Sequence, residues 1–117
     1  MRAPWFAALV HGPSMVPTLR HGDAVLVRRL APADDRPGRS GRPVRPGDVV
    51  VVRFAAQPGA LFVKRVARRA GEGWWVLGDN PLVTDDSRAY GPAQVVGRVL
   101  CRWWPRPGWV RRRAMLR

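Results

Sequence analysis

Residues Leu61 to Leu77 read LFVKRVARRAGEGWWVL, two apolar stretches of strand length joined by Gly71-Glu72-Gly73. A glycine-rich break between β-branched and aromatic runs marks a β-hairpin, and it predicts a strand over Leu61–Arg69 paired with one over Trp74–Leu77. Working outward, Gln57-Pro58-Gly59 turns the chain into the first of these strands. Before it, Asp48–Phe54 (DVVVVRF) follows the Pro46-Gly47 turn with an unbroken run of valine, the pattern of a half or fully buried strand. Ala24–Leu30 (AVLVRRL) follows a His-Gly-Asp turn, and Gln94–Trp104 (QVVGRVLCRWW) is a last strand stopped by Pro105 and Pro107. Five or six strands are expected, with no amphipathic helix of ten residues and at most a short helical turn within Ser14–Arg20. Twelve Gly and twelve Pro in 117 residues also disfavour a helical bundle. The expected fold class is mostly β, a single small domain. Its core is expected over residues 1–101, with a flexible loop at about 31–45 (APADDRPGRSGRPVR), followed by a basic Trp/Arg-rich tail over 102–117 (RWWPRPGWVRRRAMLR).

A chain of 117 residues supports one hydrophobic core, and 46% hydrophobic residues argue against a wholly disordered chain. Twenty-one Lys and Arg against eight Asp and Glu give a formal charge of +13, so anionic partners or surfaces come into consideration. Cys101 is the single cysteine, which excludes an intrachain disulfide and signals no oxidising compartment. Together with His11 and His21 it lacks zinc-site spacing, so neither metal nor cofactor is expected. The apolar run near the start, Ala3 to Leu9, falls far short of the roughly 20 residues of a spanning helix and makes a poor secretory signal. The expected location is the cytoplasm, with peripheral contact to an anionic membrane through the basic tail.

Lys64 is the only lysine among the 21 cationic residues. Arginine stays protonated in proteins, whereas a buried lysine sheds its proton, so a position that needs a neutral amine excludes arginine. Lys64 lies mid-strand between Val63 and Val66, where apolar neighbours favour the neutral form. The alternative is a solvent-facing strand cation. A hydroxyl for such a base to act on is Ser14, in the turn-rich stretch Gly12-Pro13-Ser14-Met15-Val16-Pro17-Thr18-Leu19. Prolines on both sides fix the local φ angles and present the side chain at a defined position. An isolated serine in a turn is more often a capping residue, so Ser14 gains weight only with a base. No Ser-His-Asp set presents itself: His11 and His21 flank Ser14, but neither has an orienting carboxylate other than neighbouring Asp23. Neutral Lys64 would take the Ser14 proton during attack on a carbonyl and return it to the leaving amine.

Four segments, in order, resemble the type I signal peptidases, which are serine-lysine endopeptidases, and their shorter soluble relatives. Gly12-x-Ser14-Met15-x-Pro17-Thr18-Leu19 is similar to the nucleophile box, Gly47-Asp48-Val49-Val50 to the strand box and Lys64-Arg65-Val66 to the lysine box. Gly78-Asp79-Asn80 through Asp86-Ser87-Arg88 and Gly91-Pro92 is similar to the final box, and the likeness runs from Gly12 to Gly97. The resemblance implies Ser14 as nucleophile, Lys64 as general base and the Ser14 N–H as an oxyanion donor. It further implies Thr84 as the hydroxyl that orients the lysine, Asp86 and Arg88 as a bracing pair, and Asp79-Asn80 as the turn below the site. Some members add an oxyanion donor from a serine two residues before the nucleophile. Gly12 stands there in this chain, with Pro13 between, so the hole is expected to rely on backbone donors.

The family's membrane anchor and large inserted β domain find no counterpart in this sequence, which reads as a minimal catalytic core. Short soluble members of this kind mature nickel-type superoxide dismutase, and the chain is similar to them. The implied function is a serine endopeptidase that removes an N-terminal leader from a precursor, with the nickel superoxide dismutase precursor as the expected substrate. Processing of membrane-associated precursors is an alternative. A non-cleaving basic module for nucleic acid or anionic lipid is another; it accounts for the charge and the tail but not for the single lysine beside twenty arginines. Nucleic acid is not the expected partner. Self-cleavage, as in SOS-repressor relatives of this fold, lacks a preceding DNA-reading domain.

Overall fold

The computed structural model describes residues 4–30 and 43–113. Seven strands and one short helix follow in the order β1 (Trp5–Leu9), β2 (Ala24–Arg29), β3 (Val49–Phe54), β4 (Phe62–Ala70), β5 (Gly73–Leu77), α1 (Ser87–Tyr90), β6 (Ala93–Trp104) and β7 (Gly108–Trp109). All pair antiparallel in one sheet of order β1-β2-β6-β3-β4-β5, with β7 added to β6. The mostly β, single-domain expectation holds. The hairpin of β4 and β5 forms as its sequence predicts, and the other expected strands are present with ends shifted by one residue.

The valine run of β3 explains the packing. Alternate residues of a strand face opposite sides. Val50, Val52 and Phe54 enter one apolar cluster with Val66 and Val76, while Val49 and Val51 enter a second with Met15, Leu19, Val25 and Val27. A strand buried on both faces needs no polar alternation, and β3 shows none until Arg53. β6 links the two halves of the sheet: residues 97–104 pair with β2 and residues 93–98 with β3. Register shifts in both pairings bend it, and Ala93 also reaches Trp74 of β5.

Three features differ from expectation. Trp5–Leu9 is a strand, pairing with β2 from Trp5↔Arg28 to Leu9↔Ala24. Ser14–Arg20 holds a single turn closed by the Leu19 N–H to Met15 carbonyl bond, as expected, whereas Ser87–Tyr90 forms a four-residue helix that was not. The boundary expected after residue 101 falls inside β6. The prolines do end β6 at Trp104, but the chain folds back, β7 pairs Trp109 with Cys101, and the Arg113 N–H donates to the Gly47 carbonyl (3.1 Å). Residues 102–113 therefore belong to the sheet and its support. Of the loop expected at 31–45, residues 31–42 lie outside the described residues, and Val44 is buried in the core. Among the described residues, no helix is long and apolar enough to cross a membrane.

Candidate active site

The loop between β1 and β2 is closed at its neck by backbone bonds from Val10 N–H to the Asp23 carbonyl and from Gly22 N–H to the Val10 carbonyl, both 2.8 Å. Inside it, Met15 and Leu19 are buried at a spacing of one turn, joined by the Leu19 N–H to Met15 carbonyl bond (2.9 Å). These two side chains pin the loop to the core, so Ser14, immediately before Met15, sits half-buried at a fixed place. Gly12 has φ +78°, a conformation that a Cβ would strain, and its N–H donates to His21 Nδ1 (3.0 Å). His11 meets His21 edge-on, with ring centroids 5.5 Å apart. Among the described residues the Ser14 N–H donates no hydrogen bond.

The segment after β5 clamps this loop from below. Asn80 donates its backbone N–H to the Ser14 carbonyl (2.9 Å) and its side-chain amide to the Pro13 carbonyl (3.1 Å). Asp79 joins the same support. Its carboxylate accepts two bonds from Arg65, each 2.8 Å, one from the Thr18 hydroxyl and one from Arg113 (3.1 Å). Burial pushes this carboxyl up, but the hydrogen bonds of Arg65 and Thr18 and the charges of Arg65 and Arg113 outweigh it and hold it below the ordinary aspartate value. Asp86 caps α1 and accepts from the Gly78 N–H (2.9 Å), the Arg88 N–H (3.1 Å) and both arms of the Arg88 guanidinium (3.0 and 2.7 Å). These bonds overcome burial and keep it ionised below its usual range. The Asp86–Arg88 pair thus holds Gly78 and the helix start together. The hydroxyl of Ser87, buried, accepts from the Val76 N–H (2.8 Å) and ties α1 to β5.

Lys64 stands on β4 opposite Val50, on the face shared by Phe62 and Val66. It is 2% exposed, and its ammonium lies 5.8 Å from the Phe62 ring centroid. Desolvation lowers its pKa from the ordinary lysine value, against the opposing charges of Asp85 and Asp86 and with a smaller push from Arg88. A lysine in this state is a proton acceptor at a pH where ordinary lysines are not.

Ser14 and Lys64 line one cleft of about 220 Å³, whose wall also includes His11, Phe62, Val83 and Asp85. Gly12 and Met15 border it as well. Val83 and Asp85 line the cleft; Thr84, exposed like Asp85, is not among the residues of its wall. Asp86 and Arg88 lie behind the cleft, braced as a pair. Sequence reasoning did not anticipate the His21 bond to Gly12, the Arg113 contact with Asp79, the Ser87 tie or Asp85. Each depends on partners far apart in the chain, and no local pattern marks them.

The chain matches the Peptidase S24-like family over residues 2–100. It is 33% identical to the mitochondrial ATP-independent inner membrane protease subunit 1a of Arabidopsis thaliana over 122 aligned positions, covering 82% of the chain and 68% of that protein. With mitochondrial inner membrane protease subunit 1 of Schizosaccharomyces pombe the identity is 33% over 125 positions, covering 87% of the chain and 75% of the relative. The human mitochondrial inner membrane protease subunit 1 is 27% identical over 117 positions, covering 80% and 66%. The family match takes in the Ser14 loop, the strand of Lys64 and the clamp that joins them, and the chain therefore belongs to the Peptidase S24-like family.

Proposed function

We propose that the protein is a serine endopeptidase with a Ser14–Lys64 dyad that removes an N-terminal leader from a precursor protein. The observation that carries this reading is the shared cleft: a serine with an available N–H and a buried, desolvated lysine line the same walls. Neutral Lys64 accepts the Ser14 hydroxyl proton as Oγ attacks the scissile carbonyl. The Ser14 N–H donates to the developing oxyanion, a contact worth a few kcal/mol in such sites (about 3–4 for one donor). As the tetrahedral species collapses, Lys64 returns the proton to the leaving amine, and an acyl ester remains on Ser14. Water then gives a proton to Lys64 and attacks the ester, and as the new carboxyl end leaves, Lys64 hands that proton to Ser14 Oγ and both groups return to their starting state. Gly12 and Met15 hold the nucleophile loop, and Asp86 with Arg88 holds the segment beneath it.

The relatives reported above are named as mitochondrial inner membrane proteases and none as a dismutase protease, so they support precursor processing without favouring the nickel superoxide dismutase leader. Trp103, Trp104 and Trp109 are all more than half exposed beside Arg106 and Arg111, which supports contact of this edge with an anionic membrane surface. The test is mass spectrometry of two precursors, the nickel superoxide dismutase precursor and a membrane-anchored precursor with small residues before its cut site. Each is incubated with wild type, Ser14→Ala and Lys64→Ala, with and without anionic vesicles. Cleavage at one site by wild type alone supports the dyad, and the precursor that is cut identifies the substrate class. Cleavage that survives either substitution overturns it.

A further inference from the structure

The ladder between β1 and β2 ends at Leu9↔Ala24, where the chain leaves on the loop that carries Ser14. Val10 continues the pairing through its backbone bonds to Asp23 and Gly22. In an antiparallel pair every second residue bonds to the same neighbour, so the next donor in this row is Gly12. Its N–H finds no carbonyl across the neck and donates to His21 Nδ1 at 3.0 Å. The imidazole thus stands in for the next carbonyl of the ladder and carries the pairing to within two residues of Ser14. On the other side Asn80 holds the Pro13 and Ser14 carbonyls. We propose that His21 is a positioning residue for Ser14: its neutral ring holds Gly12 and fixes the entry to the Ser14 loop, and protonation of the ring releases it. The inference rests on the dyad reading for its catalytic meaning, but not for its first readout.

Nδ1 accepts a hydrogen bond only without a proton of its own, so the neutral ring carries its hydrogen on Nε2. Once the ring is charged, both nitrogens are donors, and Nδ1–H would face the Gly12 N–H. Histidine is the side chain that makes this change near neutral pH. The titratable groups around the ring are His11, edge-on at 5.5 Å, Arg20 and Asp23 of its own turn, and Arg102 of β6. Asp23 is engaged elsewhere, accepting from the Arg20 N–H (2.8 Å) and pairing with Arg102 (3.8 Å). Lys64 and Asp85 stand on the wall of the cleft that His11 shares. Among the described residues His21 enters no salt bridge, so a charged ring gains no ion pair in exchange for the lost bond. Gly12 has φ +78° and open space where a Cβ would be, so no side chain packs it in place. The bond to His21 is its tether.

Hydrogen exchange of the Gly12 amide, followed by 15N NMR against pH, reads this contact without substrate. In wild type the amide is expected to lose protection in step with the titration of the His21 ring. His21→Asn places Oδ1 where Nδ1 stands and cannot be charged in this way, so Gly12 should stay protected into acid. His21→Ala should leave it unprotected at every pH. His11→Phe keeps a ring against His21 and should retain the wild-type step. In cleavage assays on the alkaline side of that step, His21→Ala should lower kcat about two- to tenfold with KM little changed, the worth of one hydrogen bond, and His21→Asn should restore it. Undiminished protection or kcat in His21→Ala, loss of the step in His11→Phe, or a kcat of His21→Asn as low as that of His21→Ala overturns the assignment. Retained cleavage by Ser14→Ala would instead overturn the dyad and leave the amide result standing.

Discussion

Gly78 lies directly against Ser14: a Cβ built on Gly78 would come 2.6 Å from the Ser14 carbonyl oxygen and 3.4 Å from the Ser14 Cβ. Backbone cannot yield as the tip of a flexible side chain does, so any larger residue at 78 must push the nucleophile loop outward. Gly78→Ala is expected to destabilise the protein by about 1–3 kcal/mol, the range of overpacked sites. It should also reduce kcat at least about tenfold, because a displacement near 1 Å is enough to spoil attack geometry. Denaturant melts beside steady-state kinetics check both, and an unchanged kcat would detach Gly78 from catalysis.

Lys64→Arg keeps a cation in place but removes the proton acceptor, so activity should fall by at least about a hundredfold at every pH tested. Lys64→Met should be equally inactive yet more stable near neutral pH. Burial lowers the lysine pKa in the folded state, so between the folded and unfolded values the unfolded chain binds more protons, and wild-type stability rises with pH across that window. The advantage of Lys64→Met in Tm should therefore shrink as pH climbs through the lowered folded value toward the ordinary lysine value. A constant gap would argue that the lysine is not desolvated.

Asp79→Ala strips Arg65 of its carboxylate while leaving the guanidinium buried; the two side chains are 3% and 2% exposed. Breaking a buried pair from one side costs about 3–5 kcal/mol. The sign with pH follows from the depressed carboxyl: its contribution is complete above the ordinary aspartate value and disappears as pH falls through the lower folded value. Wild type and Asp79→Ala should accordingly converge in acid. Urea midpoints measured from neutral pH downward provide the check.

Asn80→Ala removes the side-chain bond to the Pro13 carbonyl but keeps the backbone bond to Ser14. The site is exposed, so the stability loss should be near the lower end of about 0.5–1.5 kcal/mol. On the proposed dyad the larger effect should be on kcat, with KM little changed, because the clamp holds Ser14. A rise in KM at constant kcat would place Asn80 in substrate binding instead.

The strands were legible because their residues carry strong local signals: β-branched runs, glycine-rich turns and the closing prolines at 105 and 107. Ser14 and Lys64 were legible from the order of four segments and from the lone lysine. Trp5–Leu9 was not, since a short apolar run near the start reads equally as a fragment of a leader or membrane segment and its pairing partner lies beyond the Ser14 loop. The role of residues 105–113 was hidden by charge and proline content, which look like an exposed tail until Arg113 is seen on Asp79 and Gly47.

The place of β6 in the sheet has a consequence for the cleft. Within the sheet, the β1–β2 hairpin, whose loop carries Ser14, meets β3, β4 and β5 through pairing on either side of β6. The cleft between Ser14 and Lys64 therefore takes its frame from a strand that contributes no residue to its wall.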